Sequence, residues 1–282
     1  MEGMVAVLTD STAYIPEDML KEYDIHVIPL LVNWSGKSYL DNVDITPEVF
    51  YDRLTKEKDL PTTSQPSAGA FKEKFDELAK SYSGVVAVLL SEDLSGTIAS
   101  AQAAKALVDG FPIAIVNSKL TTMALGLMAM EAAKVAQAGG SLEEVAAAAE
   151  NLVGKIRVMF VVDTLEFLHK GGRIGGAQRL LGSVLAMKPL LQLEDGKIEA
   201  LDSVRTKKKA IQTMLNHFYQ DAKGESGIHL TVFHGVAEDD ANEVMQEVTA
   251  KYHPADAVLA KLSPVIGVHT GPGTVGMAYY FS

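Results

Sequence analysis

Short apolar runs punctuate the first half of the chain. Val5–Leu8, Ile25–Val32, Val85–Leu90 and Ile113–Val116 predict buried strands. Longer amphipathic stretches separate them. Pro16–Tyr23 and the segment opened by Thr46-Pro47-Glu48 each start with a proline, whose missing N–H does no harm at a helix start. Ser67–Ser81 predicts a helix with Ser67 as its N-cap, and Ser95–Val108 predicts another. Thr121–Gln137 and Ser141–Val153 read as two Ala-rich helices, separated by the stop signal Gly139-Gly140 and the N-cap Ser141. Strands alternating with helices imply a parallel sheet covered on both faces.

The second half carries a different pattern. Val158–Val162 predicts a strand, and Leu165–Lys170 a short helix ending at Gly171-Gly172. Leu190–Leu193 and Ile198–Val204 flank an Asp195-Gly196 turn and predict a hairpin. Thr206–Tyr219 and Asp239–Tyr252 predict helices; Ile228–His234, Ala257–Leu262 and Gly276–Phe281 predict strands. The expected fold class is therefore α/β in two lobes. Residues 1–154 form a Rossmann-like lobe with a parallel sheet. Residues 155–282 form an α/β lobe with a mixed or antiparallel sheet, against which residues 64–80 are free to pack.

Composition narrows the function classes. The 282 residues are 48% hydrophobic and 22% charged, an ordinary globular balance. The net charge of -11 argues against nucleic acid or an anionic membrane as the main partner. An anionic ligand must then meet a local cluster of donors. With no cysteine, disulfides, thiolate catalysis and Cys-ligated metals are excluded. No basic n-region follows Met1-Glu2-Gly3-Met4, and no uncharged apolar stretch has the length of a membrane span, so a cytoplasmic location and no integral membrane association are expected.

Hydroxyl-rich loops follow the first-half strands: Thr9-Asp10-Ser11-Thr12, then Ser91 with Leu94-Ser95-Gly96-Thr97, then Asn117-Ser118. Ligands of open parallel sheets bind outside the carboxyl ends of the strands, where helix N-termini suit an anion. Ser95-Gly96-Thr97 fits that role, with a hydroxyl next to a residue that admits close backbone approach. A plain N-cap is the other reading of Ser95. Thr62-Thr63-Ser64-Gln65-Pro66-Ser67 is a second polar knot, or an ordinary capped loop. Arg173 follows Gly171-Gly172 as a ligand contact or a solvated side chain. His269 sits among glycines between Ser263 and Gly273, near a ligand or as a structural histidine.

Other motifs fail. Gly271-Pro272-Gly273-Thr274-Val275-Gly276 matches a dinucleotide fingerprint in letters, with no room for the helix and acidic partner it needs. There is no phosphate-loop sequence and no tight metal-ligand spacing, so no metal is expected. Asp10, His269 and a serine are the parts of a hydrolytic triad, without a GxSxG elbow to seat the serine. A small hydrolase or phosphatase using a Ser hydroxyl and His269 is the alternative function.

The ordered set of motifs resembles the DegV family of bacterial fatty-acid-binding proteins. Thr9-Asp10-Ser11, Thr63 to Ser67, Leu94 to Thr97, Leu165 to Ile174, Lys188-Pro189, Arg205-Thr206 and Val265 to Gly273 carry the resemblance across nearly the whole chain. It implies a long-chain fatty acid as bound ligand, with no cofactor and no turnover by the chain itself. The family's carboxylate contacts fall on Thr63 and Ser95. Asp10, Ser11, Ser64, Gly96, Thr97, Ser118 and His269 fall near the head group. The resemblance also implies a partner, the catalytic protein of a fatty acid kinase, faced by Arg173 and Arg205.

Overall fold

A computed structural model of the chain describes residues 3–182 and 187–282. The chain forms two compact units: Met1–Ile45 with Pro61–Val153, and Thr46–Leu60 with Gly154–Ser282.

The strands of the first unit are β1 (Val5–Asp10), β2 (Ile25–Ile28), β3 (Leu31–Trp34), β4 (Lys37–Leu40), β5 (Thr62–Ser64), β6 (Gly84–Leu89) and β7 (Ile113–Asn117). Four of them form the expected parallel sheet, in the order β2-β1-β6-β7. β1 and β6 are buried along their whole length, as central strands with two covered faces must be. On one face Ala6, Leu8, Ala87 and Leu89 pack with Phe71, Phe75 and Leu78 of helix Ala68–Leu78 and with Ile98, Ala101 and Ala104 of helix Thr97–Lys105. Helix Thr122–Gln137 packs against β1 and β6 and is buried nearly all round along its first nine residues, which are rich in Ala, Leu and Met.

The run Ile25–Val32, expected as one strand, is two. Pro29 lacks the N–H a ladder needs, so β2 stops at Ile28. β3 then joins a small antiparallel sheet, β4-β3-β5. Residues 64–80, expected to be able to join the second lobe, belong to the first unit, because Phe71, Phe75 and Leu78 fill its core. Residues 46–60 make the crossing instead. Helix Pro47–Lys56 puts Phe50 and Tyr51 against Gly267, where a side chain on that glycine would collide with both rings.

The strands of the second unit are β8 (Arg157–Val161), β9 (Lys188–Glu194), β10 (Lys197–Val204), β11 (Ile228–Gly235), β12 (Asp256–Lys261) and β13 (Thr274–Phe281). Their order is β10-β9-β8-β13-β11-β12. Only β11 and β12 pair in parallel, through helix Glu238–Tyr252, so the sheet is mixed. The Asp195-Gly196 hairpin forms as its sequence predicts. Met214, Phe218, Leu230, Val232, Val244, Met277 and Tyr279 build one core layer. Pro264–Thr270, which the glycines around His269 disguise, is a helix. Ser263 caps it by accepting the Ile266 amide, and Pro264 occupies its first turn.

Candidate functional site

All four strands of the parallel sheet point the same way, so their polar ends share one edge. Asp10 closes β1 and is fully buried. Its Oδ1 accepts the Thr12 amide at 3.0 Å and the Thr12 hydroxyl at 2.6 Å. Its Oδ2 accepts the Leu90 amide at 2.8 Å, across from the end of β6. Burial pushes the carboxyl up to about 6, against the pull of these three donors. Ser11 donates to Asp41 at 2.7 Å and accepts the Leu30 amide at 3.0 Å. Both side chains, predicted near a head group, are spent on holding the loops together. Asp41, buried and 30 residues away, was not foreseen; no local pattern marks it. Ser118 likewise bonds both backbone groups of Leu120.

The loop after β6 is a compact turn. The Ser91 carbonyl accepts the Leu94 and Ser95 amides, and the Ser91 amide donates to the Leu120 carbonyl. Ser95 is half-buried and does not cap the helix that follows; Gly96 takes the N-cap position without a side-chain bond. The Ser95 hydroxyl lies 2.9 Å from that of Thr97, which is fully buried. The first amides of helix Thr97–Lys105 have no intrahelical acceptor and carry the positive end of its dipole. Hydroxyl pair and helix end together favour an anion.

Gly96 also brings in the second knot. A Cβ there would stand 2.6 Å from Nε2 of Gln65, so the glycine lets the Gln65 side chain lie on the turn. The segment Thr63-Ser64-Gln65 is thereby seated beside Ser95-Gly96-Thr97. On β5 the strand pleat separates the two hydroxyls. Ser64 accepts from Asn33 at 3.1 Å on one face, and Asn33 accepts from Ser38 at 2.7 Å. Thr63 pairs with Val32 and lies on the opposite face, which also bears the buried Val32 and Trp34. It is a hydroxyl on an apolar face, the combination a carboxylate with an alkyl tail requires. Gln65 carries no local signal of its own; its role comes from a contact 31 residues away.

In the second unit, His269 and Arg173 come together. The imidazole Nδ1 stands where a side chain on Gly171 would stand, and Arg173 donates to the Gly171 carbonyl at 2.8 Å. Burial and the neighbouring Arg173 hold the imidazole down at about 4, so it is neutral at physiological pH. Arg205 is exposed, in the link between β10 and helix Lys207–Asp221. Asp10 is the acid of the alternative hydrolytic triad. That carboxylate is satisfied by Thr12 and Leu90, whereas a triad acid must orient an imidazole.

A groove of about 810 Å³ opens at the carboxyl ends of β11 and β12. Glu48, Asp52, Glu238, Asp239 and Asp240 outnumber its two lysines, Lys207 and Lys261, so it repels a carboxylate. Among the described residues no group of three or more acidic or histidine side chains is placed to hold a metal, and no helix is long and apolar enough to cross a membrane.

A parallel α/β unit with hydroxyls at its strand ends is joined in one chain to a mixed-sheet α/β unit. The chain belongs to the DegV family, whose model, described as an uncharacterised protein family, matches residues 4–282. It is similar over 99% of its length to a DegV family protein of Thermus thermophilus described by its fatty acid binding, with 37% identity, a TM-score of 0.93 and all of that chain covered. It is equally similar in extent to DegV of Bacillus subtilis, a fatty acid binding protein, at 35% identity and a TM-score of 0.92, with 99% of each chain covered. A stearic acid-binding protein of Eubacterium ventriosum shares 26% identity and a TM-score of 0.89, over 99% of this chain and 98% of the other.

Proposed function

We propose that this chain binds a long-chain fatty acid, holds its carboxylate with the Thr63 and Ser95 hydroxyls, and presents it to a separate kinase. The observation that carries this reading is the seating of Thr63, on an apolar strand face, beside the Ser95-Gly96-Thr97 helix opening through the Gln65–Gly96 contact. Relatives that bind fatty acids supply the ligand class.

The energetics agree. Burying about fifteen methylenes yields on the order of 10 kcal/mol before ordering costs. Desolvating the carboxylate costs several kcal/mol. Each hydrogen bond to the charged head returns roughly 1.5–3 kcal/mol. Two hydroxyls and the helix-end amides therefore suffice to offset it, and discrimination for a carboxylate resides there. A carboxylate oxygen then attacks the terminal phosphorus of the partner's nucleoside triphosphate. The nucleoside diphosphate leaves, and an acyl phosphate remains on this chain. Arg173 and Arg205 are assigned to the partner's phosphate in this reading, and His269 to the head group.

Extraction and mass spectrometry of the purified protein should yield a fatty acid. The double variant Thr63→Ala, Ser95→Ala should lose it while remaining folded; undiminished retention would sink the assignment. Turnover of ester or phosphate substrates by the chain alone would point instead to a hydrolase.

A further inference from the structure

We propose that Asp10 is the positioning residue of the head-group turn: its ionised carboxylate fixes the loop that presents Ser95, so protonating it loosens the bound fatty acid. This rests on the fatty-acid reading above and concerns a residue whose carboxylate oxygens are held by Thr12 and Leu90.

The connection is a short relay of bonds. Asp10 Oδ2 accepts the Leu90 amide. Leu90 is followed by Ser91, whose carbonyl accepts the amides of Leu94 and Ser95. The Ser95 hydroxyl then meets that of Thr97 at the helix opening. On its other oxygen Asp10 accepts both donors of Thr12 and so organises the short helical turn Ser11–Ala13. One carboxylate thus joins the ends of the two central strands of the sheet.

Its two oxygens are unequal. Oδ1 receives two donors and Oδ2 one. An incoming proton settles on the oxygen with fewer donors, and the neutral O–H there is a weaker acceptor for the Leu90 N–H than the charged oxygen. The bond weakened is therefore the one that leads to Ser95. Burial raises the carboxyl to about 6, which puts this event within reach of mildly acidic pH.

The charged and titratable groups around Asp10 do not perform this switch themselves. Asp41 and Tyr14 share with it a cavity of about 140 Å³. Asp41 is held by Ser11, and Tyr14 donates to Asn42. On the strand beside β1, His26 bonds Tyr82. Glu92 and Asp93 are exposed on the loop after β6, and Lys119 is on the loop after β7. On the helix packed over β1, Glu131 and Lys134 pair with each other beyond its second turn. Desolvation, not any of these charges, sets the carboxyl. Burial disfavours the ionised form of this carboxyl, and the three donors on Thr12 and Leu90 favour it.

The test follows palmitate affinity and the backbone amides from pH 5 to 7.5. In the wild type, palmitate should bind about tenfold more weakly at pH 5, beyond the change from palmitate's own titration. Asp10→Asn should bind about tenfold more weakly at pH 7.5 and lack the transition near 6, so that it also reports palmitate's own contribution. In the wild type, the Leu90 and Thr12 amide resonances should titrate together near pH 6, a readout that needs no variant to fold. Flat Leu90 and Thr12 resonances beside normal palmitate binding overturn the role of Asp10 alone, as does Asp10→Asn with wild-type affinity and pH profile. A wild-type chain that binds no palmitate sinks the fatty-acid reading, and with it the effect of Asp10 on affinity.

Discussion

The two units treat the ends of their sheets differently. In the first, every strand of the main sheet runs the same way, so Asp10, Ser91 and Ser118 gather at one edge. In the second, antiparallel neighbours send successive loops to opposite edges, and the polar residues are dispersed. The parallel unit concentrates chemistry, while the mixed unit invests in apolar packing around Phe218. Strand direction, rather than composition, separates a unit that collects polar side chains from one that does not.

If that division is right, core damage in the second unit should read out as stability. Phe218 is fully buried and meets Tyr279 and Tyr252 edge-on, with centroids at 4.9 and 5.2 Å. Phe218→Ala should cost about 3–5 kcal/mol in urea unfolding. The contrast breaks if palmitate affinity of the folded fraction falls in step.

His269 gives the second unit an acid sensitivity of its own. Its folded value of about 4 lies below the ordinary 6.5, so the unfolded chain takes up the proton first as pH falls. Stability from this group is complete above 6.5, declines between 6.5 and 4, and levels off below. The loss should reach about 3 kcal/mol. It should vanish in His269→Gln, measured as the difference in unfolding free energy between pH 7 and pH 4.5.

In the first unit a change of similar size should read out as ligand affinity. Gly96→Ala drives a methyl group toward Gln65, an exposed side chain that gives way cheaply. Stability should change by less than about 0.5 kcal/mol. Moving Gln65 shifts the Thr63 segment, and palmitate affinity should fall about tenfold by calorimetry.

The smallest effect is a control within the same unit. Ser141 and Glu144 form a reciprocal capping box at helix Leu142–Glu150. Ser141→Ala should cost about 1 kcal/mol of stability by thermal unfolding, with palmitate affinity unchanged.

Much of the fold is legible in the chain. The uninterrupted apolar run Val85–Leu90 announces a central parallel strand, and Asp195-Gly196 announces its hairpin. The break at Pro29 is masked by the apolar run, which continues through it. The helix Pro264–Thr270 was hidden because Gly267 and Gly271 outweighed the Ser263-Pro264 start signal. The candidate hydroxyls were visible as types of residue at strand ends. Their division of labour was not, since Ser11 and Ser118 are spent on backbone and carboxylate partners, while the Ser95 hydroxyl meets that of Thr97.

By itself the sequence determined most of the elements, the parallel character of the first sheet and the supply of hydroxyls at its strand ends. These follow from local period and from caps, which act over a few residues. Tertiary structure alone decided that residues 46–60 join the second unit, that Gln65 lies on Gly96, and that Asp10 holds Leu90 across 80 residues. Such contacts depend on which surfaces meet once the strands are aligned, and no local pattern encodes them.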